Sequence, residues 1–293
     1  MRNRARAVQR RRVALAACGL ILAARFQPEA AARPLDQVMA DGTLRVAVYG
    51  DNAPFSEDEK GRPNGIDADL ARAIAEKLKV KLDLRVVDAG ENVDGDLRLN
   101  LWRGDLAGTP LADLMLHVPT DRQLALRNDQ VFFTAPYFDQ EIAFAYRKDV
   151  MEGLDRLDDI GDRTVAVEGA SAADLMLLTA QGGRFRAGLK HYKSFDAAAQ
   201  AYLAGEAPIL AGTRAAIEAA LFAAKAPRDD NPIGTVPSQG LVKARWEIGG
   251  AVKTDSRDLA YAVADAITAL NAEGRMKAIC ETYGVTYTPP KGY

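Results

Sequence analysis

Cysteine and histidine are scarce in this sequence of 293 residues, which contains two of each. Cys18 and Cys280 are too few to form a disulfide framework, and neither His117 nor His191 has a cysteine or histidine at the spacing of a metal site. The sequence also lacks a G-x-S-x-G nucleophile elbow and a Walker phosphate loop. We therefore expect a protein that is not an enzyme and that holds no metal and no cofactor.

Basic runs and long apolar runs are missing after residue 32. The first 32 residues hold seven of the 38 basic side chains and one of the 40 acidic ones, so the remainder has an excess of eight acidic side chains. The acidic clusters Glu57-Asp58-Glu59 and Asp94-Gly95-Asp96 lack the spacing of a calcium-binding loop, and we expect solvated turns there. These features argue against nucleic acid as a partner and against a membrane-spanning segment.

Residues 1–32 have the three parts of a secretory signal peptide. Six arginines precede an apolar run at residues 13–24, and the small residues Ala30, Ala31 and Ala32 follow it. The apolar run is too short to cross a membrane. We predict export to the periplasm with cleavage after Ala32, and lipidation at Cys18 remains an alternative.

Short apolar runs alternate with longer amphipathic stretches along the rest of the chain, which predicts an α/β protein with mainly parallel sheets flanked by helices. Two such series follow one another, and the strand-like runs at residues 141–148 and 246–253 are placed to connect them. We expect a monomer of two lobes joined by two hinge crossings. The predicted discontinuous lobe 1 comprises residues 33–145 and 249–293, and lobe 2 comprises residues 146–248.

This region resembles the family 3 periplasmic solute-binding proteins, which typically serve amino-acid transporters, and the clearest motifs lie in its first part. The matching motifs, in order, are Gly42-Thr43-Leu44-Arg45-Val46, Pro54-Phe55 and Gly65-Ile66-Asp67-Ala68-Asp69-Leu70. The resemblance extends over nearly all of residues 35–287. It implies the two-lobed periplasmic-binding-protein fold of type II, with a ligand cleft between the lobes.

The same resemblance implies which residues line that cleft. Arg122, after Thr120 and Asp121, matches the arginine that holds a ligand carboxylate in the family, a task that suits its planar fork of donors. Thr213 stands where the family has an aspartate for the ligand ammonium group, so a free amino acid is an unfavourable ligand. The cleft candidates are Phe55, Asp67, Thr120, Arg122, Glu168, Ser171 and Thr213.

Three of these candidates have a second interpretation. Fourteen residues separate Arg122 from Pro136, where about nine are usual in the family, and Arg122 could instead pair with Asp121 or Asp129 on the surface. Phe55 could belong to the core, and Asp67 could cap a helix. Glu168 precedes a helix N-terminus, a typical anion site, and its negative charge further disfavours an amino acid.

A longer segment, residues 91–121, is similar to that of a narrower group, the methanol-dehydrogenase-associated binding proteins of the MxaJ and XoxJ type. The shared pattern is D-x-D-L-R-N-x-x-W-x-G followed by D-x-M-L-H-V-P. Asn100 lies one position after the asparagine of this pattern, and the residues that match it in place are Asp94, Asp96, Leu97, Arg98, Trp102, Gly104, Asp113, Met115, Leu116, His117, Val118 and Pro119.

This second resemblance implies a non-catalytic accessory protein of a periplasmic quinone-cofactor (PQQ) methanol dehydrogenase, with the lanthanide-dependent XoxJ branch preferred. The implied partners are a dehydrogenase of the XoxF or MxaF type and its cytochrome c. Trp102, Arg98 and His117 are the candidate interface residues. The alternative is a receptor of an ABC transporter for a small ligand other than a standard amino acid.

Overall fold

The computed structural model describes residues 32–237 and 242–291. The predicted signal peptide and Cys18 lie outside these residues, except for Ala32. Within the described ranges, no helix is both long and apolar enough to cross a membrane. The strands are β1 (Thr43–Tyr49), β2 (Asp51–Asn52), β3 (Ser56–Asp58), β4 (Pro63–Asn64), β5 (Lys81–Val87), β6 (Leu114–Pro119), β7 (Val131–Phe133), β8 (Phe138–Tyr146), β9 (Val165–Glu168), β10 (Leu189–Tyr192), β11 (Ile209–Thr213), β12 (Ile233–Gly234) and β13 (Arg245–Lys253).

The α-helices lie between these strands and after the last of them. They are α1 (Leu35–Asp41), α2 (Ile66–Leu78), α3 (Val93–Leu97), α4 (Arg122–Arg127), α5 (Ala172–Thr179), α6 (Phe195–Leu203), α7 (Arg214–Ala223), α8 (Arg257–Ala272) and α9 (Arg275–Thr282). A π-helix, Arg98–Trp102, continues α3, and short 3-10 helices are found at Leu157–Ile160, Ala180–Gly183 and Arg186–Gly188.

The central sheet has the order β10-β9-β11-β8-β13-β6-β1-β5. The pairs β1/β5, β1/β6, β9/β10 and β9/β11 are parallel, whereas β8 and β13 pair antiparallel with their neighbours. β12 pairs with β8 and β7 with β13, and β2, β3 and β4 form a separate small sheet. The predicted mixed α/β fold with flanking helices is confirmed.

Strands β8 and β13 connect the two halves of the central sheet. They pair with each other at Phe138–Glu141 and Arg245–Ile248. Beyond this crossing β8 turns to β11 through residues 142–146, and β13 turns to β6 and β7 through residues 248–253. The lobe boundaries after residues 145 and 248 remain predictions.

Two large apolar cores lie on either side of this crossing. The first packs α2, α8 and α9 against β1 and β6, with Ile66, Ile74 and Val263 fully buried. The second packs α5 against β8, β9 and β11, with Met176 and Ile209 at its centre. Burial of this apolar surface is the main favourable contribution to folding.

The start of α2 fixes the loop that precedes it. Gly65 has a φ of 116°, and a Cβ at this position would collide with the carbonyl oxygen of Phe55. The backbone N–H groups of Ile66 and Asp67 donate to the carbonyl oxygens of Pro54 and Phe55 at 3.0 and 2.7 Å. Glycine is therefore required here because the loop backbone caps the helix directly.

Candidate functional site

A cavity of about 350 Å³ lies between the β2–β3 hairpin and the N-terminal ends of α5, α6 and α7. The hairpin contributes residues 50–53, 57 and 58, and the helices contribute residues 171–173, 194–196, 213 and 216. The cavity thus joins segments from both sides of the β8/β13 crossing. Concave sites of this size at such a junction are typical ligand sites.

Three helix caps face this cavity. The side-chain oxygens of Ser171, Ser194 and Thr213 accept hydrogen bonds from backbone N–H groups of α5, α6 and α7 at 3.2, 3.3 and 3.3 Å. Each is the N-cap residue of its helix, as local sequence patterns predict for Ser171 and Ser194. The positive ends of three helix dipoles therefore point to one space, which by itself would suit an anion.

The protein's own carboxylates already occupy this positive region. Asp174 Oδ2 accepts a hydrogen bond from the backbone N–H of Ala170 at 2.8 Å, at the start of α5. The Glu168 carboxylate accepts one from the backbone N–H of Phe195, at the start of α6. Because these donors are satisfied internally, they are not available to a ligand carboxylate.

The lining of the cavity is strongly acidic. Its described residues include no lysine, arginine or histidine, and its acidic side chains form no ion pair with any described residue. A positive ligand is therefore favoured over a negative one. The five acidic lining residues are Asp51, Glu57, Asp58, Glu168 and Asp196.

Two of these carboxylates have perturbed acidities. Burial raises the pKa of Glu168, and the nearby charges of Asp51 and Asp196 add to the effect. Burial also raises the pKa of Glu57, with further contributions from Glu59 and Asp196. Both shifts arise because a negative charge is disfavoured where water is partly excluded and other negative charges are close.

Glu168, Ser171 and Thr213 are the sequence-based candidates that line this cavity. Phe55 and Asp67 do not line it: they are 1% and 0% exposed. The Phe55 ring packs edge-on against His117 and Phe138, at centroid distances of 4.5 and 5.1 Å. Phe55 therefore belongs to the core, which was its second interpretation.

Asp67 is the centre of a buried polar network rather than a helix cap. Its carboxylate is 2.9 Å from Nδ1 of His117 and accepts a hydrogen bond from the hydroxyl of Tyr137. The backbone N–H of His117 donates a hydrogen bond to the Tyr137 hydroxyl at 3.1 Å. His117 has a left-handed backbone conformation at this point, with a φ of 62°. Burial and the charge of Asp67 raise the pKa of Tyr137 well above its usual value. These internal contacts leave His117 with an exposed side-chain fraction of 15%.

Thr120 and Arg122 lie away from the cavity. The backbone N–H and the hydroxyl of Thr120 both donate to the carbonyl oxygen of Glu247, at 3.0 and 3.3 Å. Arg122 is the first residue of α4, and its side chain is exposed. Asp121 caps this helix and pairs with Lys243 at 2.6 Å, so the proposed pairing of Arg122 with Asp121 is not observed either.

Sequence reasoning missed most of the acidic lining. Asp51, Glu57, Asp58 and Asp196 come from two segments almost 140 residues apart, and only the tertiary fold brings them together. The one available signal was the run Glu57-Asp58-Glu59, which was interpreted as a solvated turn. In the described residues, no group of three or more His, Cys, Asp or Glu side chains is arranged to hold a metal ion.

Two of the three interface candidates, Arg98 and Trp102, lie on the segment that follows β5, and the third, His117, lies in β6. Arg98 is exposed and Trp102 is half-buried, and both belong to the π-helix. Two apolar neighbours that sequence reasoning did not single out are more exposed than Trp102: Leu99 at 44% and Leu106 at 109%.

Comparison with known proteins supports the first resemblance. The sequence profile of bacterial extracellular solute-binding proteins, family 3, matches residues 44–97. A cyclohexadienyl dehydratase of Pseudomonas aeruginosa is 41% identical over 70 residues, which is 24% of this chain and 25% of that protein. The chain thus matches about a quarter of the length of this curated relative.

Several solved structures share the fold. An ancestral cationic amino acid solute binding protein superposes with a TM-score of 0.66 and 22% identity, covering 85% of this chain and 99% of the other. An amino acid ABC transporter substrate-binding protein from Streptococcus pneumoniae, bound to L-arginine, has a TM-score of 0.59 and 23% identity, with coverage of 87% and 99%. The chain therefore has the periplasmic-binding-protein type II fold, and its residues 44–97 match the profile of family 3 of the bacterial extracellular solute-binding proteins.

Proposed function

We propose that this chain is a non-catalytic periplasmic accessory protein that binds an exported quinone-cofactor methanol dehydrogenase through residues 91–121. The similarity of this segment to the MxaJ and XoxJ type supports the proposal. The observation that carries it is the exposure of two leucines, Leu99 and Leu106, on an ordered part of that segment. Exposed apolar side chains grouped on one segment are typical of protein-binding surfaces.

The inner face of the segment is firmly attached to the protein. Leu97 and Leu101 are fully buried. Asp96 accepts hydrogen bonds from the Tyr49 hydroxyl and from the backbone N–H of Gly90, both at 2.9 Å. Because these contacts attach α3 and the π-helix to the core, the exposed side chain of Leu99 lies on a rigid backbone, which lowers the entropic cost of binding.

The tip of the segment is also ordered. The carboxylate of Asp105 accepts hydrogen bonds from the backbone N–H and the hydroxyl of Thr109, at 2.9 and 2.5 Å. The backbone N–H of Ala112 donates to the carbonyl oxygen of Asn100 at 2.9 Å and closes the loop. Leu106 is thus held outward at a closed loop tip, where burying its side chain in a partner would contribute about 1.5–3 kcal/mol.

The test is recovery of the dehydrogenase from a periplasmic extract by the purified full chain. We expect a quinoprotein dehydrogenase, identified by mass spectrometry and by its quinone absorbance, to be recovered with the wild type. The double variant Leu99→Ala/Leu106→Ala should reduce recovery at least ~10-fold. Leu175→Ala, which removes an exposed leucine of α5, is the matched control. Equal recovery with the double variant, or no dehydrogenase at all, would contradict the proposal.

The preference for a lanthanide-dependent dehydrogenase, the cytochrome c as a further partner and the periplasmic location belong to the same proposal. They rest on the resemblance of residues 91–121 and of residues 1–32. The absence of catalysis is likewise a proposal, because one relative of this chain is named for an enzymatic activity, that of a dehydratase.

A second candidate function is solute reception for a transporter, and the cavity between the β2–β3 hairpin and α5–α7 favours it. A standard amino acid is an unfavourable ligand because the described lining offers no basic side chain to its carboxylate. Equilibrium dialysis against a metabolite mixture tests this candidate. Retention of no compound at millimolar concentration would contradict it.

A further inference from the structure

We propose that this cavity and an apolar cavity beside it form one binding site for a small organic cation, an amine or guanidine that carries an apolar group and no carboxylate. The second cavity has a volume of about 360 Å³. Glu57, Phe195 and Asp196 line both cavities. The two spaces therefore meet at a pair of carboxylates, and we call them the acidic and the apolar compartment.

The apolar compartment is a groove along α7. The helix presents small side chains to it, Ala219, Ala220 and Ala223, and the aromatic side chains of Phe222 and Tyr283 form its walls. Small residues on one side and aromatic rings on the other leave room for an apolar group of a ligand.

The aromatic walls are held in place. The Tyr283 hydroxyl donates a hydrogen bond to the Asp69 carboxylate at 2.8 Å and accepts one from the backbone N–H of Gly65 at 3.1 Å. Phe222 packs so closely on the backbone of Gly284 that a Cβ there would collide with its ring. The groove is therefore formed before any ligand enters, which favours binding.

Two of the five carboxylates in the acidic compartment have a structural role, and the other three do not. Glu168 and Asp196 lie at the N-terminus of α6, where a negative charge complements the helix dipole. The side chains of Asp51, Glu57 and Asp58, all from the β2–β3 hairpin, form no hydrogen bond or ion pair with any described residue. A positively charged occupant would relieve the repulsion among these groups.

The inference deepens the receptor function and rests on it for a biological role, whereas binding itself does not depend on docking to a dehydrogenase. The test is isothermal titration calorimetry of the purified full chain at pH 7 with 4-phenylbutylamine. Its ring fits the apolar compartment and its ammonium group fits the acidic one. We expect one site with a Kd below ~1 mM. Putrescine, which lacks the ring, and 4-phenylbutanoate, which reverses the charge, should bind at least ~10-fold more weakly.

Variants assign the site. Glu57→Gln and Glu168→Gln should each weaken 4-phenylbutylamine at least ~10-fold, because each removes a partly buried counter-charge. Glu152→Gln, an exposed glutamate elsewhere on the surface, is the matched control and should bind like the wild type. Ala223→Phe, which fills the groove from its exposed end, should weaken 4-phenylbutylamine but not putrescine. If a glutamine variant does not fold, the Ala223→Phe variant still tests the site.

Several results would overturn the inference. These are the absence of heat with 4-phenylbutylamine, unchanged affinity in both glutamine variants, or tighter binding of L-arginine or calcium chloride than of the amine. Recovery of the dehydrogenase separates the two proposals. We expect the Glu57→Gln variant to lose affinity for 4-phenylbutylamine and still recover the dehydrogenase. We expect the Leu106→Ala variant to bind 4-phenylbutylamine normally and to recover less dehydrogenase.

Discussion

The ion pair between Arg33 and Asp113 anchors the start of the described chain beside β6, and its removal should be severely destabilising. Asp113 is fully buried and accepts hydrogen bonds from Nε and Nη2 of Arg33 at 3.1 and 2.6 Å. It also accepts from the backbone N–H groups of Arg33 and Arg45, at 3.3 and 2.8 Å. The change to test is Asp113→Ala.

The expected cost follows from what the substitution leaves behind. Removing one member of a buried ion pair costs about 3–5 kcal/mol. Arg33 keeps hydrogen bonds to Asp41 and to the carbonyl oxygen of Thr43, both at 2.7 Å, which favours the lower end of that range. The unpaired backbone N–H of Arg45 adds about 1 kcal/mol. We expect a loss of roughly 4 kcal/mol, a large share of the ~5–15 kcal/mol that stabilises a typical domain.

Urea denaturation followed by circular dichroism measures this loss. Arg72→Ala, which breaks the exposed pair with Asp69 at 2.7 Å, is the control and should cost less than ~1 kcal/mol. The double variant Arg33→Met/Asp113→Leu should be clearly more stable than the sum of its single changes, because no unpaired charge remains buried. A cost below ~1 kcal/mol for Asp113→Ala, or a double variant whose stability equals the sum of the single changes, would contradict a stabilising buried ion pair.

Three further predictions concern other titratable side chains. Because the folded-state pKa values of Glu57 and Glu168 are raised above the ordinary ~4.3, stability is lost as pH rises from the unfolded to the folded pKa. Glutamine at either position should therefore raise the free energy of unfolding, measured by urea denaturation, more at pH 7 than at pH 4. An equal effect at the two pH values would contradict this. Burial raises the pKa of Cys280 to about 12, so iodoacetamide at pH 8 should modify it only in urea; mass spectrometry that finds the native site modified would oppose this. Arg122→Ala should change stability by less than ~0.5 kcal/mol and leave 4-phenylbutylamine affinity unchanged, whereas a tenfold loss by calorimetry would return Arg122 to the site.

Local features of the fold could be predicted from short stretches of sequence. The apolar spacing of Ile66, Leu70 and Ile74 predicts α2, and all three are fully buried. Ser171 and Ser194 cap α5 and α6 as their positions indicate. These predictions succeed because the interactions involved span no more than one or two helical turns.

Predictions that required distant contacts were less accurate. The run Ala-Asp-Leu-Met-Leu at residues 112–116 predicts a strand, but the strand begins only at Leu114, after Asp113 has turned inward to Arg33. Asp67 was expected in the cleft or as a cap, yet it binds His117 and Tyr137, which are 50 and 70 residues away in sequence. Nothing in the local pattern around Asp67 identifies those partners.

The fold class, the starts of α2, α5 and α6 and the resemblance to solute-binding proteins follow from the amino-acid sequence, because periodicity, capping and motif order are encoded locally. The composition of the cavity lining, in contrast, depends on how the folded chain packs. That packing leaves Phe55, Asp67, Thr120 and Arg122 outside the cavity lining and brings together carboxylates from segments far apart in the chain. Burial and charge act through space, so the role of a side chain depends on the groups that surround it in the folded protein, and these often come from distant parts of the sequence.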